Sequence, residues 1–208
     1  MSHTYQYQEP KIEDISMLEP EATYSYANYL RWAFEERVEL IKGKLFRMSP
    51  AQRRAHQKID SRIHIEIGSF LKGYTCEIYS APFDVRFPNN INDSDDQTFT
   101  VVQPDICVIC DLSKLDDAGC KGAPDLIVEI LSPSTASKDL NEKYRLYEEF
   151  GVQEYWVVYP GENVLEIYDL TDGVYVLRGK FLREDVVTSG VLKGLEIKLE
   201  DVFEEPSN

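Results

Sequence analysis

Cysteine is scarce: Cys76, Cys107, Cys110 and Cys120 are the four in 208 residues, too few for a disulfide framework. Cys107 and Cys110 have a chelating spacing, but "DICVIC" reads as a strand, on which residues three apart face opposite ways. One zinc cannot be gripped like that and no second pair stands at zinc-finger spacing, so small buried apolar side chains are expected. No apolar run approaches the ~18 residues of a membrane-crossing helix. The opening "MSHTYQYQEPKIEDIS" lacks the apolar core of a secretory signal, so a cytoplasmic location is expected. Positive charge is also short, 22 Lys and Arg against 37 Asp and Glu. The net charge of -15 repels phosphate at long range and argues against non-specific nucleic-acid affinity. A Gly-x-Ser-x-Gly elbow is missing, and no histidine follows Ser132, Ser134 and Thr135, which excludes a serine hydrolase there and leaves them to build a turn.

What is present fits one globular domain over residues 21–208 behind a loosely ordered arm, residues 1–20, that is polar and proline-punctuated. A helix is expected from Thr23 through "YSYANYLRWAFEE", then a hairpin or bulged pair of strands about Gly43, then a second helix from Ser49-Pro50 to about Leu71. "TCEIYSAPFDVRFP", "TFTVVQPDICVIC" and "PDLIVEILS" read as strands, with loops at "NNINDSDDQ" and "DLSKLDDAGCKGA" between them. After a third helix come the strand "EYWVVYP" and a C-terminal β-hairpin turning at Asp172-Gly173. The fold class is α/β, a central mixed sheet flanked by helices.

Chemistry enters with Glu129, a carboxylate among Leu126, Ile127, Val128, Ile130 and Leu131. An ionised carboxylate in apolar surroundings costs several kcal/mol or more unless paired. Alternation puts Asp125, Ile127, Glu129 and Leu131 on one strand face, and Asp105, Cys107 and Ile109 on one face of theirs. If the two strands are neighbours, Asp105 and Glu129 converge. Two such acids repel unless a proton or cation intervenes, and oxygen ligands suit a hard divalent ion. In the following helix, expected over residues 140–150 with Asp139 as N-cap and Gly151 beyond its end, Lys143 falls mid-way along the arc of Leu140, Tyr144, Leu146, Tyr147 and Phe150. There it either snorkels to water or meets a carboxylate inside. Seven basic residues between 42 and 62, Lys42, Lys44, Arg47, Arg53, Arg54, Lys58 and Arg62, face one acid, Asp60. They form either a solvated face or a phosphate-contacting edge.

"VELIKGKLFRMSPAQRRAHQKI", "APFDVRFP", "VVQPDICVIC", "GAPDLIVEILSPSTASKDLNEKYRLYEEFGVQEYWVV" and "GVLKGLEIKLEDVF" together resemble the Uma family of bacterial endonucleases, of the restriction-endonuclease-like PD-(D/E)XK superfamily. The resemblance spans roughly residues 23–203 and implies a restriction-endonuclease-like fold and hydrolysis of DNA phosphodiesters with Mg²⁺ or Mn²⁺. It equates Asp105 and Glu129 with the superfamily's two acids. Leu131 stands where its lysine usually does, and Lys143 would replace it from the next helix. Asp84 is either a third acid and metal ligand or an exposed edge aspartate, Glu39 matches an acidic position of the N-terminal segment, and His56 is either a surface or capping residue or a group touching the scissile phosphate. The alternative expectation is a module that keeps the fold and binds nucleic acid without cutting it, or a homodimeric scaffold with Tyr155, Trp156 and Tyr159 at its interface.

Overall fold

The computed structural model describes residues 10–48, 54–132 and 138–203, with backbone alone for residues 138–140. From Pro10 onward the expected arm is fastened to the domain. Ile12 bridges to Trp32, and Ile15 is buried in a 3-10 turn, Ile15–Met17, whose first N–H groups include Ser16 N donating to Asp14 Oδ1 at 2.8 Å. The first expected helix shrinks to α1 (Tyr26–Tyr29), entered through Ser25, whose N–H donates to Asn28 Oδ1 at 2.9 Å. The chain leaves it because Ala33 N donates to Ile12 O at 2.8 Å, a tertiary pairing that outweighs local helix propensity.

β1 (Val38–Ile41) and β2 (Lys44–Arg47) form the expected hairpin, turning on Lys42 and Gly43 at φ 52° and 79°. A Cβ at Gly43 would stand 2.4 Å from Thr23 Cγ2, so glycine is needed for space as well as for its dihedral. α2 (Arg54–Phe70) buries Ile59, Ile63 and Ile67 at helical spacing. Its expected start at Ser49-Pro50, and Arg53, lie outside the described residues.

Two stretches expected to be single strands are each cut in two. β3 (Glu77–Ser80) and β4 (Val85–Arg86) are separated at Pro82, and β5 (Val101–Val102) and β6 (Ile106–Ile109) at Pro104. Proline has no N–H for a ladder, and at each break the chain passes from one sheet to the other. The expected loop at residues 111–123 holds a small hairpin, β7 (Leu115–Asp116) and β8 (Gly119–Lys121). β9 (Leu126–Ile130), α3 (Lys138–Phe150) and β10 (Glu154–Tyr159) make a parallel crossover, and Gly151 N closes the helix on Tyr147 O at 3.1 Å. β11 (Val164–Thr171) and β12 (Val174–Leu182) form the expected hairpin at Asp172-Gly173, followed by β13 (Val186–Thr188), β14 (Glu196–Lys198) and α4 (Leu199–Val202).

Among the described residues the strands form two six-stranded sheets, in the orders β2-β1-β5-β4-β8-β7 and β12-β11-β10-β9-β6-β3, and a β13-β14 ribbon. The architecture is therefore α/β with mixed sheets, as expected. β9 sits inside the second sheet, so both its faces are covered. Leu126, Val128 and Ile130 pack with α2 and the C-terminal ribbon, while Ile127 joins Cys107, Ile109, Leu146 and Tyr147 on the other side.

Two expectations are corrected. Cys76 and Cys110 form a disulfide, leaving Cys107 and Cys120 free and buried. They follow directly on the antiparallel register Glu77↔Ile109 of β3 and β6, a pairing that 34 residues of separation conceal in the sequence. Tyr155 and Trp156 are fully buried, because β10 is also an interior strand, and cannot form an interface. Among the described residues no helix is long and apolar enough to cross a membrane.

Candidate active site

β6 and β9 are antiparallel neighbours with Ile106 opposite Val128. One step further along that register sets Asp105 opposite Glu129, where facing Cβ atoms lie ~4.5–5.5 Å apart. Asp105 Oδ2 accepts from the backbone N–H of Ile130 at 2.7 Å and lies 3.2 Å from His56 Nε2. The two expected acids thus meet at adjacent strand ends, both buried.

Lys143 reaches them from α3. Its ammonium lies 3.0 Å from Glu129 Oε1 and 2.9 Å from Oε1 of Glu39, which projects from β1 on the same face as Ile41. Of the two roles open to Lys143, snorkelling and internal pairing, the chain adopts the second. Tyr147, one turn after Lys143 on α3, donates its hydroxyl to the same Glu129 oxygen at 2.7 Å. This tyrosine escapes sequence reading because a Tyr on an apolar arc looks like packing; its i, i+4 relation to Lys143 is the signal that could have found it.

The charges do not balance locally. The Glu129 carboxyl is raised to about 7: burial pushes it up most, Lys143 pulls it down, and the charges of Asp105 and Glu39 push it up again. Burial disfavours the Lys143 ammonium, yet Glu129 and Glu39 outweigh that and its pKa rises. The opposite demands of the partners are consistent: one ammonium is shared by Glu129 and Glu39 with the charge of Asp105 close by, so it stays charged while Glu129 is held back from ionising. His56 is likewise raised: burial lowers it most, but its hydrogen bond to Asp105 and the charges of Asp105, Asp60 and Glu129 together outweigh burial.

A divalent cation fits this surplus of carboxylate. Among the described residues no group of three His, Cys, Asp or Glu side chains is disposed to hold a metal. Mg²⁺, however, commonly takes one or two carboxylates and completes its shell with water and substrate phosphate. Asp105 and Glu129 supply that number of hard oxygen donors.

Asp84 precedes β4 and does not alternate within a strand as expected, since Pro82 has broken it. Its carboxylate accepts from Tyr26 Oη at 3.1 Å, Tyr29 Oη at 3.4 Å and Gln103 Nε2 at 2.8 Å. Its link to the acid cluster runs through Gln103, whose backbone N–H donates to Glu39 Oε1 at 2.8 Å. Of the basic stretch, Lys42 pairs with Glu149 at 2.6 Å and Arg62 Nη1 donates to Val202 O at 3.2 Å, while Lys44, Arg47 and Arg54 are exposed. The side chain of Asp139, and Ser134 and Thr135, lie outside the described residues.

A mixed sheet flanked by helices, with these two acids at adjacent strand ends, gives the chain a restriction-endonuclease-like fold. The chain belongs to the Uma2 family, described as "Putative restriction endonuclease", whose sequence profile matches residues 26–200. It is 29% identical over 147 residues to the uncharacterized protein slr1290 of Synechocystis sp., an alignment covering 69% of this chain and 73% of that one. Its fold is similar to the crystal structure of a "putative nuclease belonging to DUF820" from Anabaena variabilis, with a TM-score of 0.68 at 20% identity over 86% of this chain and 97% of the other.

Proposed function

We propose that the protein is an endonuclease that hydrolyses phosphodiester bonds in DNA, in the cytoplasm, with Mg²⁺ or Mn²⁺ held by Asp105 and Glu129. The supporting observation is the meeting of Asp105, Glu129 and Lys143, with the ammonium 3.0 Å from Glu129. A bound divalent cation would supply acidification of water and neutralisation of phosphate charge. The chain's own groups do the rest. Lys143 offers positive charge to the phosphate oxygens on which negative charge accumulates in the transition state. Glu39 holds that ammonium in place, Tyr147 orients Glu129, and His56 and the Ile130 N–H orient Asp105. Asp84 positions the Gln103 that binds Glu39.

A second reading is favoured by the same pair seen differently. The Lys143 ammonium is already shared between two carboxylates, and the net charge is -15, as in a fold retained for binding nucleic acid without cutting it. Single- and double-stranded DNA incubated with wild type and Glu129→Ala in Mg²⁺ or Mn²⁺ separates the readings. Cleavage by wild type that falls at least about a hundredfold in the variant supports the nuclease. Salt-dependent binding with no cleavage in either metal, or equal cleavage by both proteins, defeats it.

A further inference from the structure

Gln103, whose backbone binds Glu39, also lines a groove of about 370 Å³. Tyr29, Trp32 and Phe34 line it together with Arg37, Pro82 and Gln103. The three rings form a continuous run: Tyr29 and Trp32 centroids are 5.6 Å apart, and Trp32 and Phe34 stack at 5.5 Å and 30°. All three are half-buried, so ring surface remains for a ligand. The wall's own hydrogen bonding is incomplete, since Trp32 Nε1 and Arg37 Nε are buried with no partner among the described residues. Buried donors left in that state are rare in folded proteins and call for an acceptor.

Three residues of the groove connect toward the acid cluster through the backbone. Gln103 accepts from Arg37 Nη2 at 2.9 Å, donates to Tyr29 Oη at 3.2 Å and to Asp84, and its backbone reaches Glu39. Val38, on the groove's wall, immediately precedes Glu39. Pro82 follows Ala81, whose N–H donates to Asp105 O at 3.0 Å. The aromatic cleft and the acid cluster therefore share Gln103, which touches Tyr29 with its side chain and Glu39 with its backbone.

We propose that this groove receives an unstacked nucleobase of the nucleic acid whose phosphate enters the acid cluster, which makes single-stranded or locally unpaired DNA the substrate class. The inference rests on the nuclease or nucleic-acid-binding reading of that cluster. Bases within a continuous duplex spend their faces on one another and show a protein only their edges. Aromatic rings gain from bases whose faces are free, and do so with little regard to sequence. The volume lies at the small end of ligand pockets, ~300–1,000 Å³, suited to one planar group. Glu35 and Glu36 at the rim are exposed and repel phosphate, leaving the neutral base as the part of a nucleotide the groove accepts.

The two tryptophans make the test direct. Trp156 is fully buried in the core, so a contact-quenching signal reports on Trp32. In EDTA, where no hydrolysis competes, oligodeoxythymidine is expected to quench the emission and a blunt duplex of equal length is not. Trp32→Tyr is expected to lose the quenching and keep the affinity measured by anisotropy, while Trp32→Ala binds the single strand roughly tenfold more weakly. Binding without quenching, equal quenching by duplex, or quenching by a proline-rich peptide and not by the oligonucleotide overturns the proposal. Duplex cleavage at an unchanged rate in Trp32→Ala also overturns it and leaves the nuclease reading standing. Quenching in a protein that never cleaves supports this proposal and defeats that reading.

Discussion

Replacing Lys143 by methionine removes the ammonium and keeps most of the side chain's volume, so the response is dominated by charge. Its Nζ stands 2.9 Å from Glu39 and 3.0 Å from Glu129, and all three residues are less than a tenth exposed. At an effective dielectric of ~20 each contact is worth about 4 kcal/mol or more before desolvation. Deleting one partner of a buried pair typically costs about 3–5 kcal/mol, because the other charge is left uncompensated. We expect that loss in urea denaturation at pH 8. The pH dependence fixes the cause. Glu129 already has a folded-state pKa of about 7, above its ordinary 4.5, and loss of the ammonium pushes it higher. A carboxyl raised on folding destabilises the folded state above the raised pKa and ceases to do so as pH falls toward 4.5. The variant should therefore recover much of its deficit by pH 5, and Lys143→Met combined with Glu129→Gln should recover part of it at pH 8. A deficit under about 1 kcal/mol, or one of equal size at both pH values, would refute the reasoning.

Glu154 predicts a contrasting result. It is fully buried, accepts from Trp156 Nε1 and Gly190 N at 2.6 Å each, from Val191 N at 3.0 Å and Ser189 Oγ at 3.1 Å, and pairs with Arg178 at 3.2 Å. Glu154→Ala should lower stability by about 3–5 kcal/mol in urea denaturation without responding to added Mg²⁺, since it strands the donors it served; Mg²⁺ rescue would contradict a purely structural role. Gly119→Ala should destabilise well beyond Gly73→Ala in thermal denaturation, because both have positive φ but the new Cβ at 119 would lie 2.2 Å from Asp84 O, whereas that at 73 meets nothing within 4 Å. Equal losses at the two positions would remove the steric argument.

Local pattern in the sequence was sufficient wherever one element decided the outcome. Alternation placed Glu129 with Ile127, and helical phase placed Lys143 with Leu146 and Tyr147, both on the sides where they are found. The hairpin turns at Gly43 and Asp172-Gly173 were readable because their dihedrals demand those residues. What pattern could not supply was pairing between distant segments. The Asp105–Glu129 register, the Cys76–Cys110 bridge and the approach of Glu39 to Lys143 each depend on which strands become neighbours. β3 and β4 look continuous because alternation survives Pro82 while the hydrogen-bond ladder does not. Glu154 gave no warning either: a glutamate opening a strand looks solvent-facing until Ser189, Gly190 and Val191 close over it.

The central claim, that Asp105 and Glu129 form a cation site beside Lys143, is tested most directly by a crystal soaked in Mn²⁺ and measured for anomalous scattering. A peak bounded by the Asp105 and Glu129 carboxylates, lost in Glu129→Ala, is the predicted result. Density elsewhere in the molecule, with none beside those two acids at saturating Mn²⁺, would contradict it.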